Sequence, residues 1–165
     1  MISFNSLISI LALITALGSG TIAGVFFALS TFVMKALARL PANEGIAAMQ
    51  SINVAAVNSW FLGAFLGTSA ACLLVIFAAL SRWSDPSAVF LLLGAVAYLA
   101  GCFLVTMVFN VPMNGALASL SPTSPERAAR WASYLADWTI WNHVRTVASL
   151  AAAALLIVGL DRMPK

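Results

Sequence analysis

Charge is what this sequence has least of. Eight Lys or Arg and five Asp or Glu are spread over 165 residues, and the stretches 1–34, 45–81 and 86–125 contain none. With 62% hydrophobic residues and a mean hydropathy of +1.02, the chain has more apolar surface than a soluble domain of this size can bury. That excludes a water-soluble enzyme and removes nucleic acid as a partner. The lipid bilayer is the expected surrounding.

Other absences narrow the chemistry. There is a single histidine, and the two cysteines do not form a Cys-x-x-Cys pair. No carboxylate pair at metal-ligand spacing and no glycine-rich nucleotide loop occurs, so neither a multi-imidazole metal centre nor a phosphate cradle is expected. No Asp or Glu falls deep in an apolar run, which leaves a proton-relay transporter little to work with. Cys72 and Cys102 differ in depth by about 9 Å when measured from the connection between their runs, too far for a disulfide. Both read as small packing residues. The N-terminal run lacks the basic start of a secretory signal and continues to Met34, so it is expected to be a retained span.

What is present are four apolar segments at roughly 7–33, 59–80, 88–109 and 139–160. They predict one domain, an all-α membrane protein built as a four-helix transmembrane bundle, with two longer, partly helical connections on one membrane face. The connection "SRWSDPS" is a short turn with Asp85-Pro86 as breaker. In the first long connection, Ile46, Met49, Gln50, Asn53 and Val57 recur at helical spacing. In the second, Ser124-Pro125-Glu126 reads as a helix start. Lys35, Arg39, Arg127, Arg130 and Arg145 outnumber the cations of the other face, so the positive-inside rule places the long connections in the cytoplasm.

The fourth span is too short for its own charge-free run. Thr146–Leu160 would cover only about 22 Å of a ~30 Å hydrocarbon layer, so the helix must begin near Thr139. Asn142, His143 and Arg145 are thereby drawn below the surface, where ionisable groups avoid lipid. At about 100° per residue, Trp138, Thr139, Asn142, Arg145, Thr146 and Ser149 form one polar stripe, with His143 on its rim. A second constellation, Thr106, Asn110 and Asn114, surrounds Pro112, where a kink or stop is expected. A third comprises Gln50, Asn53 and Asn58. All three reach the same mouth of the bundle, which predicts Asn110, Asn114, Asn142 and Arg145 in one hydrogen-bonded network around a pocket. Helix-to-helix glue for the amides, head-group anchoring for Arg145 and a structural hydrogen bond for His143 are the alternatives. The five tryptophans fall near span ends and suit an interfacial belt, and Gly20 and Gly24 suit small-residue helix packing.

In order along the chain, "FVMKALARLP", "AMQSIN", "WFLGAFLGT", "FNVPMNGAL" and "WTIWNHVRT" resemble the anthrone oxygenase-like family of small four-helix membrane proteins. The resemblance extends from about Gly24 to Leu160, with one departure: Met34-Lys35-Ala36 stands where the family commonly shows Met-Pro-Gly, which implies a different turn there. It implies a multi-pass protein of a bacterial cell membrane that oxygenates a hydrophobic aromatic molecule without a cofactor. His143 would be the base, kept neutral by Arg145. Arg145 with Asn142 or Asn110 would hold the enolate oxygen. Trp138 or Trp141 would stack on the ring system, and Asn114, Gln50 and Asn53 would complete the binding site. Two rival readings remain: haem with His143 as axial ligand, and a non-enzymatic small-molecule or lipid-binding helper. A homo-oligomer is left open.

Overall fold

The computed structural model describes residues 4–121 and 125–163. Five helices account for the fold: α1 (Asn5–Leu37), α2 (Ala42–Ala56), α3 (Ser59–Ser81), α4 (Ala88–Ala118) and α5 (Arg127–Asp161). No strand occurs among the described residues. All but α2 are long and apolar enough to cross a bilayer, which makes this a multi-pass membrane protein.

The four long helices close into a ring in the spatial order α1, α3, α4, α5. Its core is a continuous apolar cluster that includes Ile22, Phe65, Val75, Ala95, Tyr98 and Leu156. Cys72 and Cys102 are buried within it as free thiols, as expected. Close approach sets the seams. A Cβ added at Gly101 would lie 2.4 Å from the Ala148 Cβ, so α4 and α5 touch there without a side chain between them. Between α1 and α3 the same function falls to Gly18, whose added Cβ would meet Thr68 Oγ1 at 2.1 Å. Gly20 and Gly24, the expected packing pair, meet nothing within the bundle; the contact is made two residues earlier.

The helices outrun the expected spans. Helix α4 continues through Pro112 to Ala118 because two π-helical turns, Leu99–Leu104 and Thr106–Asn110, precede the proline and absorb its missing donor. The helix therefore does not stop at Pro112. Helix α5 runs unbroken from Arg127, since no Gly or Pro interrupts 127–158, and so merges the second connection's helix with the fourth span. Helix α1 carries a third π turn, Leu29–Val33, and remains helical across Lys35-Ala36 to Leu37.

Helix α2 packs across the end of the bundle where α1 and α4 finish and α5 begins. Its Ile46 and Met49 are buried in a second apolar cluster with Met34, Leu117, Trp131 and Tyr134. Its C-terminal turn passes directly into α3, capped by Asn58: the side-chain oxygen accepts from the Trp60 and Phe61 amides, 3.0 Å each, and its amide donates to the Ala55 carbonyl at 2.8 Å. At the opposite end, Asp85 accepts from the Ser87 amide and hydroxyl and pairs with Arg82 at 2.9 Å, which shapes the short turn. The tryptophans divide accordingly. Trp60 and Trp83 are exposed, as an interfacial belt requires, whereas Trp131 and Trp138 are buried in the second cluster and Trp141 stacks on Phe109.

Candidate functional site

The polar stripe of α5 faces inward. Every third or fourth residue from Trp131 is buried: Trp131, Tyr134, Trp138, Asn142, Arg145 and Ser149, with Thr146 beside them. Asn142 is 0% exposed and Arg145 4%, so a guanidinium sits where the two apolar clusters meet.

Its surroundings contain oxygen and aromatic faces but no carboxylate; the ion pairs among the described residues are Arg82–Asp85 and Arg130–Glu126. One Arg145 nitrogen, Nη2, donates to Asn142 Oδ1 and the other, Nη1, to Thr106 Oγ1 at 3.3 Å. The guanidinium carbon stands 4.0 Å over the Phe26 ring and 5.0 Å over Trp138. Such cation–π contacts contribute about 0.5–2 kcal/mol each, which offsets part of the several kcal/mol needed to desolvate the charge. The Nε has no partner. Asn142 passes the contact on: its Nδ2 donates to the Phe26 carbonyl at 2.7 Å and to Ser30 Oγ.

Trp138 joins this group to the amides of α4. Asn110, 1% exposed, donates to the Trp138 carbonyl at 3.3 Å, while its own carbonyl oxygen is unpartnered. Asn114 Oδ1 accepts from both Trp138 Nε1 and the Tyr134 hydroxyl, each at 2.8 Å. The four residues predicted to share one network around a pocket lie near one another but form two hydrogen-bonded groups on either side of Trp138. Three of the participants, Ser30, Thr106 and Asn110, lie in the π turns of α1 and α4, a helix form that recurs at functional sites. On α2, Gln50 donates to the Leu117 carbonyl at 2.8 Å and Asn53 meets the Tyr134 hydroxyl. Asn58 serves as the cap of α3 and stays outside the network.

His143 is not part of this network. About 100° around α5 from Asn142, it is exposed on the outer face of the bundle. The expectation that depth turns it inward fails because the buried stripe of α5 runs through Asn142, Arg145, Thr146 and Ser149, and His143 falls beyond its edge. Outside, however, His143 lines a groove of about 380 Å³ between α1 and α5, together with Lys35, Thr139 and Ser30, and with Met34 and Ile140 as apolar walls. Ser30 belongs to both places. It lies on the groove's floor and is bonded from behind by Asn142. A second cleft of about 380 Å³ opens at the α4–α5 end, over Met113 and Leu117, with Tyr134, Arg130 and Asp137 on its rim.

Trp138 is buried and presents no free face to a ligand, and one face of Trp141 is taken. Trp138 lies between Arg145 and Tyr134, and Trp141 is stacked on Phe109 at a centroid distance of 3.5 Å. Sequence reasoning missed Ser30, which sits in an apolar run with nothing nearby to mark it. It also missed Tyr134, which an extension of the stripe by one more turn from Trp138 would have found. No group of three or more metal-ligating side chains occurs among the described residues.

A multi-pass four-helix bundle with an oxygen-rich buried guanidinium at one mouth, and the sole imidazole on a groove beside it, is the class that the fold and site define. The anthrone oxygenase family pattern matches residues 53–155, and the chain belongs to that family. His143, Arg145, Asn142, Asn110 and Asn114 lie inside the matched stretch; Ser30 and Lys35, on α1, lie before it. No curated protein and no solved structure matches the chain.

Proposed function

We propose that this protein, residing in a bacterial cell membrane, oxygenates a flat anthrone-like or phenolic substrate held in the α1–α5 groove, with no cofactor taking part. Family membership supports the reaction type. The observation that carries the reading to residues is the groove, which sets His143 beside Lys35, Thr139 and Ser30 within apolar walls. Its volume suits a small polycyclic molecule, and its position admits one from the lipid.

The chemistry needs a base and a place for negative charge. In an anthrone, the methylene between two aryl rings is acidic because the resulting anion is an enolate conjugated with both. The His143 imidazole removes that proton. The electron-rich enolate carbon then combines with O₂. The methylene becomes a carbonyl: one oxygen atom stays in the product and the other leaves as water with the two hydrogens. Arg145 and Asn142 act from behind the groove floor. Asn110, Asn114, Trp138, Gln50 and Asn53 hold the scaffold that positions them.

Oxygen uptake by the detergent-purified protein, measured over a panel of anthrones and hydroxylated aromatics, tests this. His143→Gln should slow uptake about 10²- to 10⁴-fold, the usual size of general-base catalysis, with unchanged helicity. Full turnover in that variant removes His143 as the base. The haem alternative would place the porphyrin on the outer groove, where His143 is, and not in the bundle core. A Soret band in the purified protein would favour it. Tight aromatic binding with no oxygen uptake would favour the non-enzymatic helper.

A further inference from the structure

We infer that Ser30 is the donor that holds the substrate's oxyanion on the groove floor, and that the buried charge of Arg145 reaches it through Asn142. This rests on the groove being the substrate site, as read above.

The direction of each hydrogen bond is forced. A guanidinium has donors only, so the Asn142 group facing Arg145 must be the carbonyl oxygen, Oδ1. The amide nitrogen is thereby turned toward α1, where it donates to Ser30 Oγ and to the Phe26 carbonyl. Ser30 Oγ accepts from Asn142 and keeps one hydrogen to give. In the structure that hydrogen goes to the Phe26 carbonyl at 2.9 Å. The same carbonyl is also served by Asn142 at 2.7 Å. Ser30 can therefore rotate its hydrogen into the groove without leaving a buried acceptor orphaned, which removes the usual penalty for such a switch.

Position and polarity agree. Ser30 is 3% exposed yet belongs to the groove lining, and it sits in the π turn Leu29–Val33, whose widened ring sets it against Asn142. The chain Arg145 to Asn142 to Ser30 runs one way, each link donating to the next, and its source is a cation with no carboxylate among its contacts. Hydrogen bonds in series polarise one another, so the last hydroxyl is a stronger donor than an isolated serine. The group such a donor selects is an enolate or phenolate oxygen. Ser30 keeps its proton throughout; the proton of the carbon acid goes to His143.

A hydroxyanthraquinone whose phenol and phenolate absorb at different wavelengths reports this directly, with no turnover required. Bound to the wild-type protein in detergent micelles, its phenol should ionise at lower pH than in micelles alone. Ser30→Ala should raise the bound pKa by about one unit or more, the size expected for a lost hydrogen bond to a charged acceptor. Ser30→Thr should restore most of the effect. Asn142→Leu should mimic Ser30→Ala, because it cuts the relay while leaving the hydroxyl. Should Ser30→Ala not fold, Ser30→Cys, a weak donor, should shift the dye in the same direction. The inference is overturned if the dye binds and Ser30→Ala leaves its pKa unchanged, or if Lys35→Gln alone abolishes the whole shift. Failure of the wild type to bind the dye would overturn the groove reading and this one together. Binding with the Ser30-dependent shift but no oxygen uptake would leave this inference standing and remove the proposed reaction.

Discussion

A guanidinium without a carboxylate is an unusual thing to bury, and Arg145 shows how neutral groups suffice. Two oxygens and two ring faces surround it, so no single contact carries the charge. The nearby Asn114 carries a heavier individual load, since one oxygen accepts from both Tyr134 and Trp138. Asn114→Ala should therefore orphan the buried Trp138 Nε1 and leave the Tyr134 hydroxyl with Asn53 alone, a loss of about 1–3 kcal/mol visible as a fall in Tm in detergent. Asn114→Asp, which keeps the acceptor, should lose less. At Gly18 the expected result is steric: Gly18→Val should disrupt α1–α3 packing, and adding Thr68→Ala should recover part of the loss. Outside the spans, Asp85 is the titrating group to watch. Partial desolvation pulls its carboxyl up, but the Ser87 amide and hydroxyl and the Arg82 guanidinium together hold it below the ordinary carboxylate value. Its folded pKa is thus lower than its unfolded one. The stabilisation is present above an unfolded value of about 4 and is lost as pH falls through the folded value. Asp85→Asn should remove that acid-side loss from a thermal-shift titration.

Helices were legible in the sequence to the extent that burial follows a period. The stripe on α5 could be read from Trp138 to Ser149 because 3.6-residue spacing aligned polar residues that nothing else explains. The same spacing gave Ile46 and Met49 on α2. The π turns were not legible. A turn closes on the fifth residue instead of the fourth when neighbouring helices favour it, and no residue type marks the choice. Ser30 and the course of α4 through Pro112 were hidden for that reason. The position of His143 was a matter of rotation: on the rim of a stripe, a few tens of degrees decide between bundle and lipid. Gly20 and Gly24 matched a packing pattern that Gly18 fulfils, because the pattern fixes spacing and not which face meets the neighbour. Helix α3 offers a check at this scale. Asn58→Ala removes its cap and should lower stability by about 1 kcal/mol, whereas Asn58→Asp should retain most of it.

Across the whole molecule, the buried amides and the buried guanidinium are concentrated toward one end of the bundle. The topology puts Ser84 and Ser121 on opposite sides of the membrane, so cysteines introduced there should label from opposite sides; same-side labelling would refute the bundle order. The buried arginine has a further consequence, for biogenesis. Of the four spans, α5 is the last to be synthesised, and Arg145 lies six residues inside the membrane-crossing part expected to begin near Thr139. On its own, such a helix meets a charge penalty at the translocon, smaller than the about 2.5–3.5 kcal/mol of a charge at the bilayer centre. The groups that accept this charge, Phe26 on α1 and Thr106 on α4, are already in place when α5 emerges. Lateral release of the final span should therefore depend on the earlier ones. In a glycosylation-tag assay, α5 expressed alone should integrate poorly, and the full chain with Thr106→Leu and Asn142→Leu should fall behind the wild type. Insertion of α5 should thus act as a proofreading step, with this helix retained only when α1 and α4 already offer the cradle for its charge.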